Sequence, residues 1–330
     1  MKDSKKSSKK KNSDSNKKRG RKIVYGFFLL LLANGIVFLF LTYFLYRIYD
    51  NKISTSSYKE IPFISVPVVT DKTNIRVSAL SYIVYDPLSR SIVFSKNHNL
   101  RMSPASSIKI LTALVALDTY RLDDYLTVPV VASYDESKMG LKLGEEIKVG
   151  DLLYGLLLVS GNDAAKTFAY NYPGGNDAFI SAMNSKAKEL EFSDSNFLDA
   201  SGYQDNNYST AFELARLASV AMQNSTIREI VGTKEKTVYD KYNFFVHPLK
   251  NLNELLSVDK VTGVKTGFTN EAGGVLVTSF FHEGRELIIV VMKSNDRFAD
   301  TRKIISIIKS TVYYSGFSDD KSESSFNAGT

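Results

Sequence analysis

Residues 23–46 contain no charged side chain and are mostly Leu, Ile, Val and Phe. As a helix rising about 1.5 Å per residue, this run is long enough to cross the ~30 Å hydrocarbon core of a bilayer. Tyr25, Tyr43 and Tyr46 sit near its ends, where amphipathic rings favour the membrane interface. The run divides the chain into a short leading piece and a long following piece that must fold without it. Residues 1–22 carry eleven Lys/Arg against two Asp, a net of +9; the whole chain is +7, so the remainder is −2. Basic charge is therefore a property of the leader. It places the N-terminus in the cytoplasm and the rest on the extracytoplasmic face of a single-pass protein, with anionic lipid attracting the leader. A nucleic-acid-binding face on the folded part is not indicated. A cleaved signal peptide is the alternative, with small residues at Ala33-Asn34-Gly35, but a mostly apolar run continues past that point.

Five segments follow: a basic cytoplasmic tail (1–22), a transmembrane helix (23–46), a stalk (47–75), one catalytic domain (76–316) and a disordered tail (317–330). The stalk is polar and contains Pro62 and Pro67, and the end of the chain is a polar stretch with little to bury. Strand-like patterns at 80–85 and 91–95 flank Asp86-Pro87-Leu88-Ser89 and predict a hairpin. The middle, 106–223, reads as mainly helical, including 177–190 and 211–222. Strands return at 260–268, 275–281 and 286–292, followed by a helix at 299–314. Strands at both ends of a helical middle predict an α/β (α+β) fold. An antiparallel sheet is flanked by helices, and a mainly helical lobe stands beside it. The chain has no cysteine, which excludes disulfides and thiolate catalysis. No ligand-type cluster has metal spacing and no phosphate loop is present, so neither metal nor cofactor is expected.

The chemistry concentrates in three segments in fixed order: Ser106-Ser107-Ile108-Lys109, Ser160-Gly161-Asn162 and Lys265-Thr266-Gly267. The first pattern alone says little, since Ser-x-x-Lys recurs at Ser7, Ser56, Ser185 and elsewhere; Lys-Thr-Gly occurs once. Context singles out Ser106, because Pro104 precedes it and an apolar helical run follows. Serine and lysine three apart share one face of a first helical turn. A serine hydroxyl needs a base, and lysine serves only when neutral, which burial or a second cation favours. Lys265 is the candidate second cation. Ser160 would relay a proton to the leaving amine, and Asn162 would orient the substrate amide and Lys109. Backbone N–H groups at the start of the Ser106 helix and after Gly267 would receive the oxyanion. His98, His247 and His282 lie outside all three segments and are expected to be packing or surface residues.

These motifs resemble those of the serine D-alanyl-D-alanine carboxypeptidases, the low-molecular-mass penicillin-binding proteins. The resemblance extends over residues 76–316 through Met139-Gly140-Leu141-Lys142-Leu143-Gly144, Ala200-Ser201-Gly202-Tyr203 with Asn207-Tyr208-Ser209-Thr210-Ala211, and Val264 to Thr269 with Glu271-Ala272-Gly273-Gly274. It implies a beta-lactamase/transpeptidase-like fold, an acyl-enzyme on Ser106 and Lys109 as proton acceptor. Ser160 and Asn162 would assist, with Lys265, Thr266, Gly267 and Phe268 binding substrate. The implied partners are peptidoglycan stem peptides ending in D-Ala-D-Ala, beta-lactams as covalent inhibitors, and the bilayer through 23–46. Phe268 stands where many relatives have histidine, a change expected to touch substrate preference. Arg297 and Arg302 fit either a substrate carboxylate or a surface helix. Relatives often add a small β-rich domain and an amphipathic terminal helix, for which the pattern after residue 314 leaves no room. A beta-lactamase, a transpeptidase and a non-catalytic wall-binding scaffold remain as alternatives on the same fold.

Overall fold

The computed structural model describes residues 4–54, 64–70, 74–129, 137–204 and 206–314. The expected tail at 317–330 and part of the expected stalk lie outside these. Two units separate at Phe63/Ile64 and are described individually.

The first unit is one helix, α1 (Ser4–Ser54). It is longer than the expected 23–46 in both directions, taking in residues assigned above to the tail and to the stalk. Within Gly20–Tyr49 an 18-residue window has a mean hydropathy of 2.4 and none of that window is buried. Phe27, Phe28, Leu29 and Leu30, which point about 100° apart around the helix, are all exposed. An apolar helix with no protein against it is suited to a lipid environment.

The second unit begins with β1 (Pro67–Val69), β2 (Ser81–Asp86) and β3 (Ser91–Lys96). A 3₁₀ turn (Ala105–Ile108) then runs into α2 (Lys109–Thr119), followed by β4 (Tyr125–Thr127), β5 (Glu146–Lys148), α3 (Val149–Leu157), α4 (Asn162–Asn171) and α5 (Gly175–Glu189). Next come α6 (Ala211–Ala221), α7 (Ser225–Gly232), β6 (Glu235–Tyr239), β7 (Val246–Lys250) and a second 3₁₀ turn (Glu254–Ser257). The unit ends with β8 (Val261–Thr269), β9 (Gly273–His282), β10 (Arg285–Ser294), α8 (Arg297–Thr311) and β11 (Val312–Tyr314).

The central sheet is antiparallel and five-stranded, in the order β3-β2-β10-β9-β8. Its interior strands alternate, but between two cores rather than between core and water. Ile83, Tyr85, Val277, Ile288 and Val290 join the core of the helical lobe, with Leu111 and Leu214. Their neighbours Tyr82, Val84, Leu276, Ile289 and Val291 pack against Ile304, Ile305 and Ile308 of α8. The period of two thus divides each strand between two layers of helices. β8 is an edge strand, which leaves the Lys265 segment free on one side.

Several boundaries depart from expectation. The predicted helix at 299–314 begins earlier, because the Asp296 side chain accepts from the N–H groups of Phe298 (3.1 Å) and Ala299 (2.9 Å). It also ends earlier. Val312–Tyr314, β-branched and aromatic, form a strand that pairs antiparallel with Pro67–Val69. The expected stalk at 47–75 therefore contributes its end to the folded unit, and Ile75 is buried there. The short pairs β4–β5 and β6–β7 have no counterpart in the sequence reading.

Asp300 ties α8 to the entry of β2. Its carboxylate accepts from Ser78 N (2.9 Å), Ser78 Oγ (2.7 Å), Ala79 N (2.8 Å) and Ser294 Oγ (2.6 Å). Burial alone would raise its pKa, but these bonds outweigh it and hold the carboxyl below the usual range. Asp300→Ala strands several buried donors and is expected to cost on the order of 3 kcal/mol in urea unfolding of the detergent-solubilised protein. A carboxylate with a lowered folded pKa stabilises above its unfolded value of about 3.9 and loses that stabilisation as pH falls through the folded value. The gap between wild type and variant should therefore hold at neutral pH and narrow only in acid.

Candidate active site

The 3₁₀ turn decides how the first motif works. Residues i and i+3 eclipse in such a turn, so Ser106 and Lys109 stack directly, and the α-helix begins only at Lys109. The turn is entered through Ala105 in left-handed backbone conformation (φ 46°) and is braced by Ser107 Oγ donating to Pro104 O at 2.6 Å. Ser106 is half-buried, while Lys109 has no exposed surface. Lys109 Nζ lies 2.9 Å from Ser106 Oγ, 2.7 Å from Asn162 Oδ1 and 2.6 Å from the Ser201 carbonyl oxygen. The last two partners can only accept. A neutral amine has two hydrogens and one lone pair. In that form, donating both hydrogens to Asn162 and Ser201 would aim the lone pair at the Ser106 hydroxyl, the orientation a general base needs.

The second motif forms the turn into α4. Ser160 is left-handed (φ 60°) and 3 % exposed, and its Oγ has no hydrogen-bond partner among the described residues. Strain and an unsatisfied hydroxyl in one residue are costs that cluster at functional positions. Asp163, one residue beyond Asn162, accepts from Met139 N (3.0 Å), Gly140 N (2.9 Å) and Leu141 N (3.1 Å), binding the 139–141 segment to the motif. His247 of β7 braces the same segment, contacting Glu145 Oε1 at 2.6 Å and Met139 O at 3.3 Å. His282 lies 2.7 Å from the Val312 carbonyl oxygen and His98 lies edge-on to Phe212. These histidines pack; none is bonded to Ser106.

The third motif lies on β8. Lys265 is 1 % exposed, and its amine donates to Thr266 O at 2.8 Å. Burial, then the charge of Lys109, then that of Arg297 hold its pKa well below the usual lysine value. Arg297, at the start of α8, is itself lowered by burial, and its Nε is buried without a hydrogen-bond partner. Lys265 and Arg297, brought together under partial desolvation, favour an anionic ligand. Gly267 is where the strand meets the Ser106 turn. A Cβ there would lie 3.1 Å from Ala105 Cβ and 3.2 Å from Ser106 N. That closeness brings the backbone of β8 beside the start of the Ser106 turn, as a two-donor oxyanion site requires. Thr266 is buried and Phe268 is 60 % exposed at the rim.

Residues 68–296 match the family model described as D-alanyl-D-alanine carboxypeptidase. The chain belongs to that family. It is 35 % identical over 205 residues to the D-alanyl-D-alanine endopeptidase of Pseudomonas aeruginosa, covering 60 % of this chain and 65 % of the relative. It is 32 % identical over 240 residues to the D-alanyl-D-alanine carboxypeptidase DacF of Bacillus subtilis, covering 69 % of this chain and 61 % of the relative. The chain thus spans a little under two thirds of each of these curated relatives. The crystal structure of the Streptomyces K15 DD-transpeptidase superposes with a TM-score of 0.67 at 32 % identity, over 71 % of this chain and 98 % of that one. The fold is accordingly the transpeptidase-like one, a mixed helix and antiparallel-sheet architecture.

In this member of the family, direct hydrogen bonds join Ser106, Lys109 and Asn162, and charge couples Lys265 to Lys109. No hydrogen bond links Ser160 to Lys109 among the described residues. Two contributors escaped the sequence reading. Asp163 sits next to Asn162 but carries no motif role of its own, and the Ser201 carbonyl is a backbone group that no residue type announces.

Lys265 yields a counter-intuitive expectation. An amine whose folded pKa lies below its unfolded value of about 10.4 holds its proton less firmly in the fold than in the unfolded chain. It therefore weakens the fold at neutral pH, a penalty that fades as pH rises toward the unfolded value. Lys265→Met should raise the melting temperature while penicillin acylation falls at least ~10-fold; a lowered melting temperature would contradict the electrostatic account. Gly267→Ala should leave the fold intact but slow acylation by roughly 10-fold, since its Cβ forces the Ser106 turn to give by a few tenths of an ångström. Stopped-flow acylation measures both.

Proposed function

We propose that this chain is a membrane-anchored serine D-Ala-D-Ala carboxypeptidase that removes the terminal D-alanine of peptidoglycan stem peptides. Ser106 Oγ bonds to the carbonyl carbon between the two D-alanines as its proton passes to the Lys109 lone pair. The oxyanion is held by backbone N–H groups at Ser106 and Phe268. The C–N bond then breaks, the leaving nitrogen takes a proton through Ser160, and D-alanine departs. Water hydrolyses the ester, returning the proton to Ser106. Asn162 orients the substrate amide and Lys109, while Lys265, Thr266 and Arg297 receive the terminal carboxylate. Beta-lactams, which carry a strained amide and a carboxylate, acylate the same serine and are inhibitors. The N-terminus then lies in the cytoplasm and the catalytic unit on the wall-facing side, a reading supported by the basic leader and the apolar run of α1.

One observation carries this reading. Lys109 Nζ is buried between two obligate acceptors, at 2.7 and 2.6 Å, and it also reaches the Ser106 hydroxyl at 2.9 Å. Labelled penicillin should modify wild type at Ser106, and Ser106→Ala should lose both label and D-alanine release from a pentapeptide substrate. Release that survives in that variant sinks the proposal. The solved structure cited above is of a transpeptidase, so an amine acceptor is the second reading. Product analysis with a competing amine separates transfer from hydrolysis, and a failure to take label at all points to a wall-binding scaffold.

A further inference from the structure

The Ser201 carbonyl that takes one of the Lys109 hydrogens is not on a helix or strand but in the turn between α5 and α6. That turn is held by one carboxylate. Asp199 Oδ2 accepts from Ser201 N (3.1 Å) and Tyr203 N (3.2 Å) and also from the Ser201 hydroxyl; Oδ1 accepts from Asn207 Nδ2 at 2.7 Å. Asn207 cannot turn its amide round, because its Oδ1 accepts from Leu198 N at 2.7 Å and its Nδ2 also donates to Gln204 O at 2.7 Å. The neighbouring Ala200 carbonyl accepts from Thr112 Oγ1 at 2.6 Å, which fixes the turn to α2 one helical turn beyond Lys109. On its other side Gly202 (φ 78°) lies against the nucleophile turn. A Cβ there would come within 2.1 Å of the Ala105 carbonyl oxygen.

From this geometry we infer that Asp199 is a positioning residue for the acyl-transfer step. It holds the Ser201 carbonyl where it takes one Lys109 hydrogen and so turns the Lys109 lone pair onto Ser106. Asp199 holds Ser201, Tyr203 and Asn207, and it acts through the peptide at Ser201. The inference rests on the reading of Ser106 and Lys109 as nucleophile and base. Asp199 faces donors on both oxygens. An asparagine at 199 would set its own NH₂ against either the fixed Asn207 amide or the two backbone N–H groups, and the Ser201 carbonyl would shift.

The test is two-step kinetics of penicillin acylation on the full-length, detergent-solubilised protein, separating reversible binding from the acylation rate constant, with melting temperatures alongside. Asp199→Asn should slow acylation ~10-fold or more while reversible binding stays within about twofold, as expected for a misaimed base. The double variant Asp199→Asn/Asn207→Asp reverses the donor and acceptor and keeps the charge, but turns the bond to Gln204 O into a contact of two acceptors that has to open. It should recover most of the lost rate. A wild-type acylation rate in Asp199→Asn overturns the inference. So does a variant in which binding, rate and melting temperature fall together and the double variant restores only the melting temperature, for that is a merely structural residue. A wild type that takes no label at Ser106 removes the underlying functional reading itself, a result distinct from either.

Discussion

One buried nitrogen organises the folded unit. An amine without solvent has to be hydrogen-bonded by the protein, and Lys109 Nζ draws its partners from three distant parts of the chain. Ser106 comes from the same turn, Asn162 from the start of α4, and the Ser201 carbonyl from the turn before α6. The helical lobe brings these together. The sheet supplies the remainder, because β8 lies at its edge and carries Lys265 and Gly267 to the nucleophile turn. Helix and sheet meet where the backbone is closest, and glycine at 267 is what permits that approach.

The unit gives up stability at this junction. Ala105 and Ser160 are left-handed without being glycine, conformations that cost roughly 1–3 kcal/mol each, and Ser160 Oγ is buried without a partner. Lys265 adds a buried amine beside other cations. These are held in place by neighbours that are fully satisfied, such as Asp163 with three backbone donors from the 139–141 segment. The rigidity of the surroundings is what lets the centre remain strained.

What could be read from the sequence follows from how local each determinant is. Ser-x-x-Lys was legible because three-residue spacing fixes a geometry within one turn, although the turn is 3₁₀ rather than α. The apolar runs of β8, β9 and β10 identified the sheet, and the helical middle showed its periodicity. The β6–β7 hairpin did not show itself. β6 is exposed at most positions, and Pro248 argues against a strand in β7. β11 was absorbed into the preceding helix because its apolar residues continue the pattern, and only its partner 245 residues earlier in the chain distinguishes it: Val68 opposite Tyr313. The Ser201 carbonyl was invisible for a different reason: side-chain chemistry says nothing about where a peptide oxygen will point.

The pairing of β1 with β11 sets an order of events. The first strand of the folded unit finds its only strand partner among the described residues at Val312–Tyr314. During synthesis that strand must wait, unpaired, until nearly the whole unit has been made. Strand β1 is therefore fastened last, when Val312–Tyr314 arrive to close the seam.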